Sequence, residues 1–426
     1  MKKVFPVTLL LFFVFLPCAR AEDGAPVLLE SLIQDAVASN TQVLSAKLAF
    51  ESANARIPQA AGLDDPMIEY EYDRMTADRM LTGAPMKTFS VSQEVPFPTK
   101  LYLRAKLASK LARMAYENYQ ATERDVISRV KSAYAELFLV YRAIEINKES
   151  KMILDGLFKA ATARYEAGKG TQADALRAQV ELARIDNESI MLEQQRVTAQ
   201  ARLNVLLNRD PREELGSPSV EPPVTFDQPL DEFYRLARSH NPELKAYRYA
   251  VERGEAAYEL SLNEYLPDFT VKFKQMVDEG RAEDGAWAGM VGVTIPLWFF
   301  QKQAFGVKEM KSELEMVKAE YRAKESAVLF DINDAYARAQ ANKKLIELYE
   351  TAFLPQAEEA ANVAIKGYQA EKSDFLTALD SQRALIGFKL DHYKAILDLW
   401  VALADLERAV GQDLDLSQKR GEHADT

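Results

Sequence analysis

The chain has 426 residues, room for two or three ordinary domains, with 48% apolar and 27% charged residues and a formal charge of −11. That balance excludes a polytopic helical membrane protein, and the acidic surplus argues against a nucleic-acid partner, whose electrostatic footprint is basic. No internal stretch approaches the ~20 consecutive apolar residues that a spanning helix needs.

In chain order, Lys2 and Lys3 precede an apolar run from Val4 to Leu16, and Ala19-Arg20-Ala21 supplies a small-x-small cleavage site. This is the pattern of a secretory signal peptide over residues 1–21. Its removal takes away Lys2, Lys3 and Arg20 and leaves 50 basic against 64 acidic residues, a charge of −14. The only cysteine, Cys18, leaves with the signal, unless it is kept as an acylated first residue, a processing that Pro17 disfavours. A mature chain without cysteine is held together by packing rather than by a disulfide framework.

A helical pattern from about Leu28 to Ala60 comes first. Two short alternating segments follow, and then a 3–4 spaced apolar seam through Val126, Val130, Ala133 and Leu137 that barely pauses from Leu101 to Tyr165. One continuous helix over that stretch is roughly 100 Å long, more than a compact globule of this size requires. After Gly168-Lys169-Gly170 the seam resumes at Ala178, Leu182, Ile185, Leu192, Ala199 and Leu203. A loop with Pro211, Pro218, Pro222, Pro223 and Pro229 separates this half from a second one with the same grammar. Landmarks recur in order: Asn40 with Asn241, Pro66–Tyr72 with Pro267–Phe273, Val91–Pro96 with Val291–Pro296, and Tyr165–Gly168 with Tyr368–Glu371. The expected organisation is a first repeat over 22–209 (β-hairpin 66–96, helical tip near 165–176), a linker over 210–229, a second repeat over 230–412 (β-hairpin 267–296, tip near 368–379) and a polar tail over 413–426.

The four short segments carry the discriminating chemistry. Ile68, Tyr70 and Tyr72 alternate with Glu69, Glu71 and Asp73; Phe89, Val91 and Val95 alternate with Ser90, Ser92 and Glu94. Phe269, Val271 and Phe273 alternate with Thr270, Lys272 and Lys274, and Trp287, Val291, Val293 and Ile295 with Met290, Gly292 and Thr294. A period of two gives each strand one aromatic, β-branched face and one polar face. About ten residues suffice for a tilted strand to cross a bilayer, and Phe97 and Trp298-Phe299-Phe300 stand where an aromatic girdle belongs. Pro66, Pro96, Pro267 and Pro296 bracket two separate hairpins, and lone hairpins are marginal in water. Strands in lipid must close into a barrel, and four are too few, so several copies must contribute. A soluble sheet resting its apolar face on the helices is the competing architecture.

The duplication, the strand exit Val293-Thr294-Ile295-Pro296-Leu297-Trp298 and the two Tyr-x-Ala turns together resemble the TolC family of outer-membrane efflux proteins over essentially the whole mature chain. The resemblance implies a mainly α fold with a transmembrane β portion: long α-helical hairpins form an α-barrel, and four strands per protomer enter a shared 12-stranded β-barrel of a homotrimer. A girdle formed by the linker and the residues after about Leu406 would lie between the barrels. Ser92–Lys100 looks most like the branch paired with heavy-metal exporters, although Thr99 stands where that branch carries glycine. The implied function is passive conduction in a tripartite system, from an inner-membrane pump and a periplasmic adaptor across the outer membrane. A type I secretion channel and a periplasmic coiled-coil scaffold are the alternatives.

Site residues follow from the resemblance. Asp174 and Tyr368 match a pair bridging neighbouring helices at a closed periplasmic tip, and Asp380 matches an acid ringing the constriction. Gly168, Gly170, Ala370 and Ser373 lie in the tip turns that meet the adaptor. Ser373 takes the place of an arginine partner, Thr377 replaces a second constriction acid, and Glu371 replaces a turn glycine. From the alternation, Glu69, Glu71, Asp73, Glu94, Lys272 and Lys274 face the barrel lumen. No enzymatic constellation, cofactor motif or metal-ligand spacing is present; the three histidines His240, His392 and His423 are far apart in sequence.

Overall fold

The computed structural model describes residues 27–73, 86–219, 228–278 and 286–414. The expected signal peptide, most of both strand-connecting loops, much of the proline-rich linker and residues 415–426 of the tail lie outside the described residues. The first half runs α1 (Leu29–Ser39), α2 (Thr41–Ala61), β1 (Met67–Asp73), β2 (Met86–Val95), α3 (Pro98–Glu166) and α4 (Gln172–Leu206). The second runs α5 (Leu230–His240), α6 (Pro242–Asn263), β3 (Asp268–Asp278), β4 (Ala286–Thr294), α7 (Gln303–Leu348), a five-residue π turn (Tyr349–Phe353), α8 (Leu354–Gln369) and α9 (Phe375–Val410).

The duplication extends to individual hydrogen bonds. Where one helix is expected from Leu28 to Ala60, the chain breaks at Asn40, whose backbone is extended at ψ 126°. The Asn40 Oδ1 accepts the N–H of Gln42 at 2.8 Å, and its Nδ2 donates to the Leu206 carbonyl at 2.9 Å. Asn241 repeats both roles, accepting from the Leu244 N–H at 2.8 Å and donating to the Ala409 carbonyl at 2.7 Å. Each buried asparagine therefore caps the start of one helix and the end of another, satisfying donors and acceptors that helix termini leave unpaired. Backbone handedness repeats as well. The left-handed residues among those described are Gly168 with Glu371 and Asn208 with Gly411, both pairs 203 positions apart.

The helix α3 is unbroken over 69 residues, about 100 Å at 1.5 Å per residue. It starts three residues after β2 ends because Pro98, at its first position, has no N–H to leave unpaired. Its buried seam includes Val126, Val130, Ala133, Leu137, Leu154 and Ala161, facing Leu203 and Ala199 of α4 in mid-helix and Ala178 and Ile185 lower down. The second half differs here. Pro355 clashes with the helical geometry of the preceding turn and donates no hydrogen bond, and the π turn at Tyr349–Phe353 takes up the mismatch between α7 and α8.

Leu32 and Ala36 of α1 pack on the middle of α3, and Phe233 and Ala237 of α5 pack on Val328 and Ile332 of α7 and Leu399 of α9. Val27 donates its N–H to the Ser217 carbonyl at 3.0 Å, which pins the described start of the linker beside α1. The helix α9 continues to Val410, with Leu406, Ala409 and Val410 buried in the same cluster as Phe233 and Leu399.

The strands form one antiparallel sheet in the order β1-β2-β3-β4. The expectation of two separate hairpins is corrected by a full β2–β3 ladder, from Met86 opposite Asp278 to Val95 opposite Phe269. Two proline-bracketed hairpins look alike whether or not they pair, because the pairing is carried by backbone groups that composition does not display.

Candidate functional site

The register sorts the sheet into two faces. Rows such as Ile68–Val91–Phe273 and Tyr70–Phe89–Gln275–Trp287 lie on one side. Rows such as Glu69–Ser90–Lys274 and Glu94–Thr270 lie on the other, and Glu71, Asp73 and Lys272 share that polar side. The apolar side is not covered by the helices: Ile68 is 78% exposed, Trp287 75% and Val291 72%. A contiguous exposed patch of this kind is rare on soluble monomers and marks a membrane-facing or partner-facing surface. On the polar side Lys272 Nζ lies 2.7 Å from Glu69 Oε2, and the Ser90 hydroxyl donates to the same oxygen at 3.2 Å. Glu71, Glu94 and Lys274 carry no ion pair among the described residues.

Where strands meet helices, Trp298, Phe299 and Phe300 are exposed, whereas Phe97 stacks on Phe269 at 6.5 Å. Lys100, only 1% exposed, lies in the first turn of α3. Its Nζ donates to both Asp268 oxygens at 2.9 Å and to the Leu266 carbonyl at 3.1 Å. The Asp268 Oδ1 also accepts the Phe97 N–H at 3.0 Å. One buried ammonium thus ties the strand exit of the first repeat to the strand start of the second. Sequence reading passed over Lys100 because a lysine after proline looks like an ordinary solvated first-turn residue.

At the far end, the two tip turns are built alike. Gly168 donates to the Tyr165 carbonyl at 3.0 Å and Lys169 to the Arg164 carbonyl at 2.8 Å; Glu371 donates to Tyr368 at 3.2 Å and Lys372 to Gly367 at 2.8 Å. Each turn closes with a residue of positive φ, Gly168 at 73° and Glu371 at 63°. Ala370 is the C-cap residue of α8, and the Ser373 hydroxyl makes only a 3.4 Å contact with the Asp374 carbonyl. A Cβ at Gly170 would stand 3.1 Å from Arg164 Cβ, so the absence of a side chain there lets the turn fold back on α3.

The turns also cap the returning helices. The Thr171 hydroxyl accepts the Asp174 N–H at 3.2 Å, and Asp374 Oδ1 accepts the Thr377 N–H at 2.7 Å. That bond and a second one from the Thr377 hydroxyl hold the Asp374 carboxyl below its ordinary pKa. Glu371 tolerates a left-handed backbone at a cost of about 1–2 kcal/mol. Its partner Lys169, 3.1 Å away across two exposed side chains, offsets little of that. Glu371→Gly is therefore expected to raise thermal stability by roughly 0.5–1 kcal/mol, read as a higher melting temperature of the detergent-purified protein.

Of the expected gate residues, Tyr368 is 2% exposed and packs edge-on against Phe375 at 5.5 Å. Burial raises its phenol pKa and Asp174 adds to the rise, while the Arg164 guanidinium opposes both. No hydrogen bond joins Asp174 to Tyr368 within the chain. Arg164 instead lies over the Tyr368 ring, 4.6 Å from its centroid. Asp380, exposed on α9, sits 3.4 Å from Arg383, which in turn pairs through its guanidinium with Glu181 of α4. Arg164 and the Glu181–Arg383 pair were not singled out from sequence. The available signal was that Arg164 aligns with Gly367 in the second repeat, so a long cation stands where the other half has no side chain.

Two long helical hairpins carrying a sheet with a bare apolar face, and a polar face on the reverse, define a membrane-anchored channel subunit. The family model of outer membrane efflux proteins matches residues 32–209 and again 233–412, once for each repeat, and the chain belongs to this family. It is an outer-membrane efflux channel with a periplasmic helical extension. Among known proteins it is similar to the cobalt-zinc-cadmium resistance protein CzcC of Cupriavidus metallidurans, at 22% identity over 401 residues and 93% of either chain. Its fold is similar to that of the outer membrane protein VceC of Vibrio cholerae, with a TM-score of 0.78 at 17% identity over 90% of this chain and 96% of the other. It is likewise similar to CusC, with a TM-score of 0.79 at 15% identity over 90% and 92% of the two chains.

Proposed function

We propose that three copies close their sheets into one twelve-stranded barrel and their hairpins into one periplasmic tunnel, through which metal cations leave the cell. An inner-membrane pump and a periplasmic adaptor would supply the cargo and the energy, and the adaptor would meet the tip turns around Gly168, Gly170, Ala370 and Ser373. The observation that carries this reading is the sheet itself. Its apolar face is bare, and β1 and β4 form open edges of unpaired backbone groups, which hydrocarbon does not tolerate. Joining edge to edge with further copies satisfies those groups and encloses the acidic face.

The lumen would carry Glu69, Glu71, Asp73 and Glu94 against Lys272 and Lys274 from each copy, a surplus that favours cations. The resistance protein named above for cobalt, zinc and cadmium supports metal ions as cargo. At the tip, Asp174, Tyr368 and Asp380 would form the constriction, with Asp380 repeated around the axis as a ring of acids.

Membrane fractionation followed by semi-native electrophoresis tests the assembly: a heat-modifiable band at the mass of three chains, confined to the outer membrane, is expected. Monomer in the soluble periplasm would exclude it. The lumen assignment makes a finer prediction. Glu71→Gln and Glu69→Gln should each lower cation selectivity in bilayer recordings, the first by removing an acid with no ion pair among the described residues and the second by leaving the Lys272 ammonium uncompensated. Equal reversal potentials in both variants and the parent would remove these side chains from the conduction path.

A further inference from the structure

We propose that the polar face of the sheet carries a site for soft monovalent cations, copper(I) and silver(I), built from the thioethers of Met86 and Met276 and the carboxylates of Glu71 and Asp73. The inference rests on that face being the wall of the conduction path and adds the class of cation that the wall holds.

The register supplies the placement. Methionine is apolar, and on a two-faced strand it belongs with the aromatic and β-branched side chains. The described strands contain four methionines, one in each, and all four fall on the other face. Met67 follows the parity of Glu69 on β1, Met86 that of Ser90 on β2, and Met276 that of Lys274 on β3. Met290 of β4 lies directly opposite Lys272. Covering an apolar surface does not account for this distribution, whereas a thioether placed among carboxylates is a soft donor for a metal cation.

Two of the four methionines come together. Glu71 pairs with Thr88 and Thr88 with Met276, so one row runs glutamate, threonine, methionine across β1, β2 and β3. Met86 stands two residues from Thr88 on the same face, directly opposite Asp73. It is a diagonal neighbour of both Glu71 and Met276, at the ~7–8 Å separation that long side chains bridge. The short Thr88 at the centre leaves room for the longer side chains around it to converge. Met86 and Met276 are half-buried, whereas Glu71 is exposed.

Charge is banded along the same face. Lys272 and Lys274 lie inward of Met276, toward the helices, and Lys272 is held by Glu69 at 2.7 Å. Beyond Met276 the described residues of this face include Glu71 and Asp73 and no lysine. A cation that passes the lysine rows thus meets carboxylates that offset its charge and thioethers that favour soft ions. Neutral thioethers hold a metal less tightly than thiolates, which suits a wall that must also release its cargo.

Planar-bilayer recording of the purified full-length protein tests the site, in potassium nitrate with silver nitrate as the probe and zinc nitrate as the harder comparison. Silver held at the site should block the potassium current at lower concentration than zinc. Exchanging both methionines, Met86→Leu with Met276→Leu, keeps the volume and removes the sulfur. The double variant should raise the silver concentration for half-block by about tenfold or more, the scale on which lost ligand-shell contacts lower metal affinity, and should move that for zinc much less. Either single variant, with a smaller shift, serves if the double variant assembles poorly. Glu94→Gln, at the opposite end of β2, tests the wall itself through the potassium-over-nitrate reversal potential. A shifted reversal potential in Glu94→Gln, together with parental silver block in the folded leucine variants, would overturn the site and leave the lumen standing. An unshifted reversal potential with no silver block in the parent would remove the polar face from the conduction path, and the site with it.

Discussion

Gly411→Ala is expected to lower stability by about 2–5 kcal/mol, summing a left-handed backbone penalty and overpacking of a closed site. Gly411 ends α9 at φ 87°, and a Cβ there would lie 2.7 Å from Asn241 Cα, 2.8 Å from the His240 carbonyl oxygen and 2.8 Å from Pro242 Cδ. Two of these obstacles are backbone atoms and the third belongs to a rigid ring, so none can rotate away. Gly168→Ala supplies the contrast: its φ is 73°, but nothing lies within 4 Å of the new carbon, and a loss of only about 1–2 kcal/mol is expected. Gly411→Asn separates the two contributions, since asparagine is accepted in a left-handed conformation at Asn208 but would keep the clash. Melting of the detergent-purified protein and the yield of outer-membrane material measure all three. Equal losses at Gly168 and Gly411 would mean that crowding at the helix end does not matter.

Asp268→Ala is expected to cost about 3–5 kcal/mol because it strands a buried ammonium. The Lys100 side chain is 2% exposed, and without Asp268 it keeps only the Leu266 carbonyl and a Glu264 oxygen 3.6 Å away. Lys100→Met should cost less, since the Asp268 side chain is 40% exposed and can hydrate while still accepting the Phe97 N–H. The double variant is expected to be more stable than Asp268→Ala alone, as replacing a buried pair by apolar groups often is. Heat resistance of the assembled protein on semi-native gels reads the order. A double variant no better than Asp268→Ala would show that the ammonium is not stranded but finds water.

The repeat, the long helices and the two-faced strands were legible because each is a periodicity carried by side chains. The Asn40 break was not, since apolar residues keep their helical spacing on both sides of it and the long-range bond to Leu206 has no local trace. The β2–β3 ladder was hidden for the same reason. At the candidate site, the sequence located the tip turns through Gly168 and the aligned Glu371. It could not reveal that Tyr368 meets Arg164, because that contact depends on how two hairpins 204 positions apart are brought side by side. Lys100 is the sharpest case: a residue type that normally stays hydrated lies at the most enclosed point of the strand–helix junction, and only its partners explain why.

The unbroken α3 has a mechanical side. Because it leaves β2 after a two-residue step and reaches the Arg164 turn without interruption, it acts as a lever arm about 100 Å long with its fulcrum in the bilayer. A tilt of a single degree at the membrane end displaces the other end by about 2 Å on that length, comparable to the spacing of a hydrogen bond. Its counterpart in the second half contains a soft joint and transmits such a tilt poorly. Changes in bilayer thickness should therefore reach the periplasmic end through the first repeat alone, shearing one hairpin past the other.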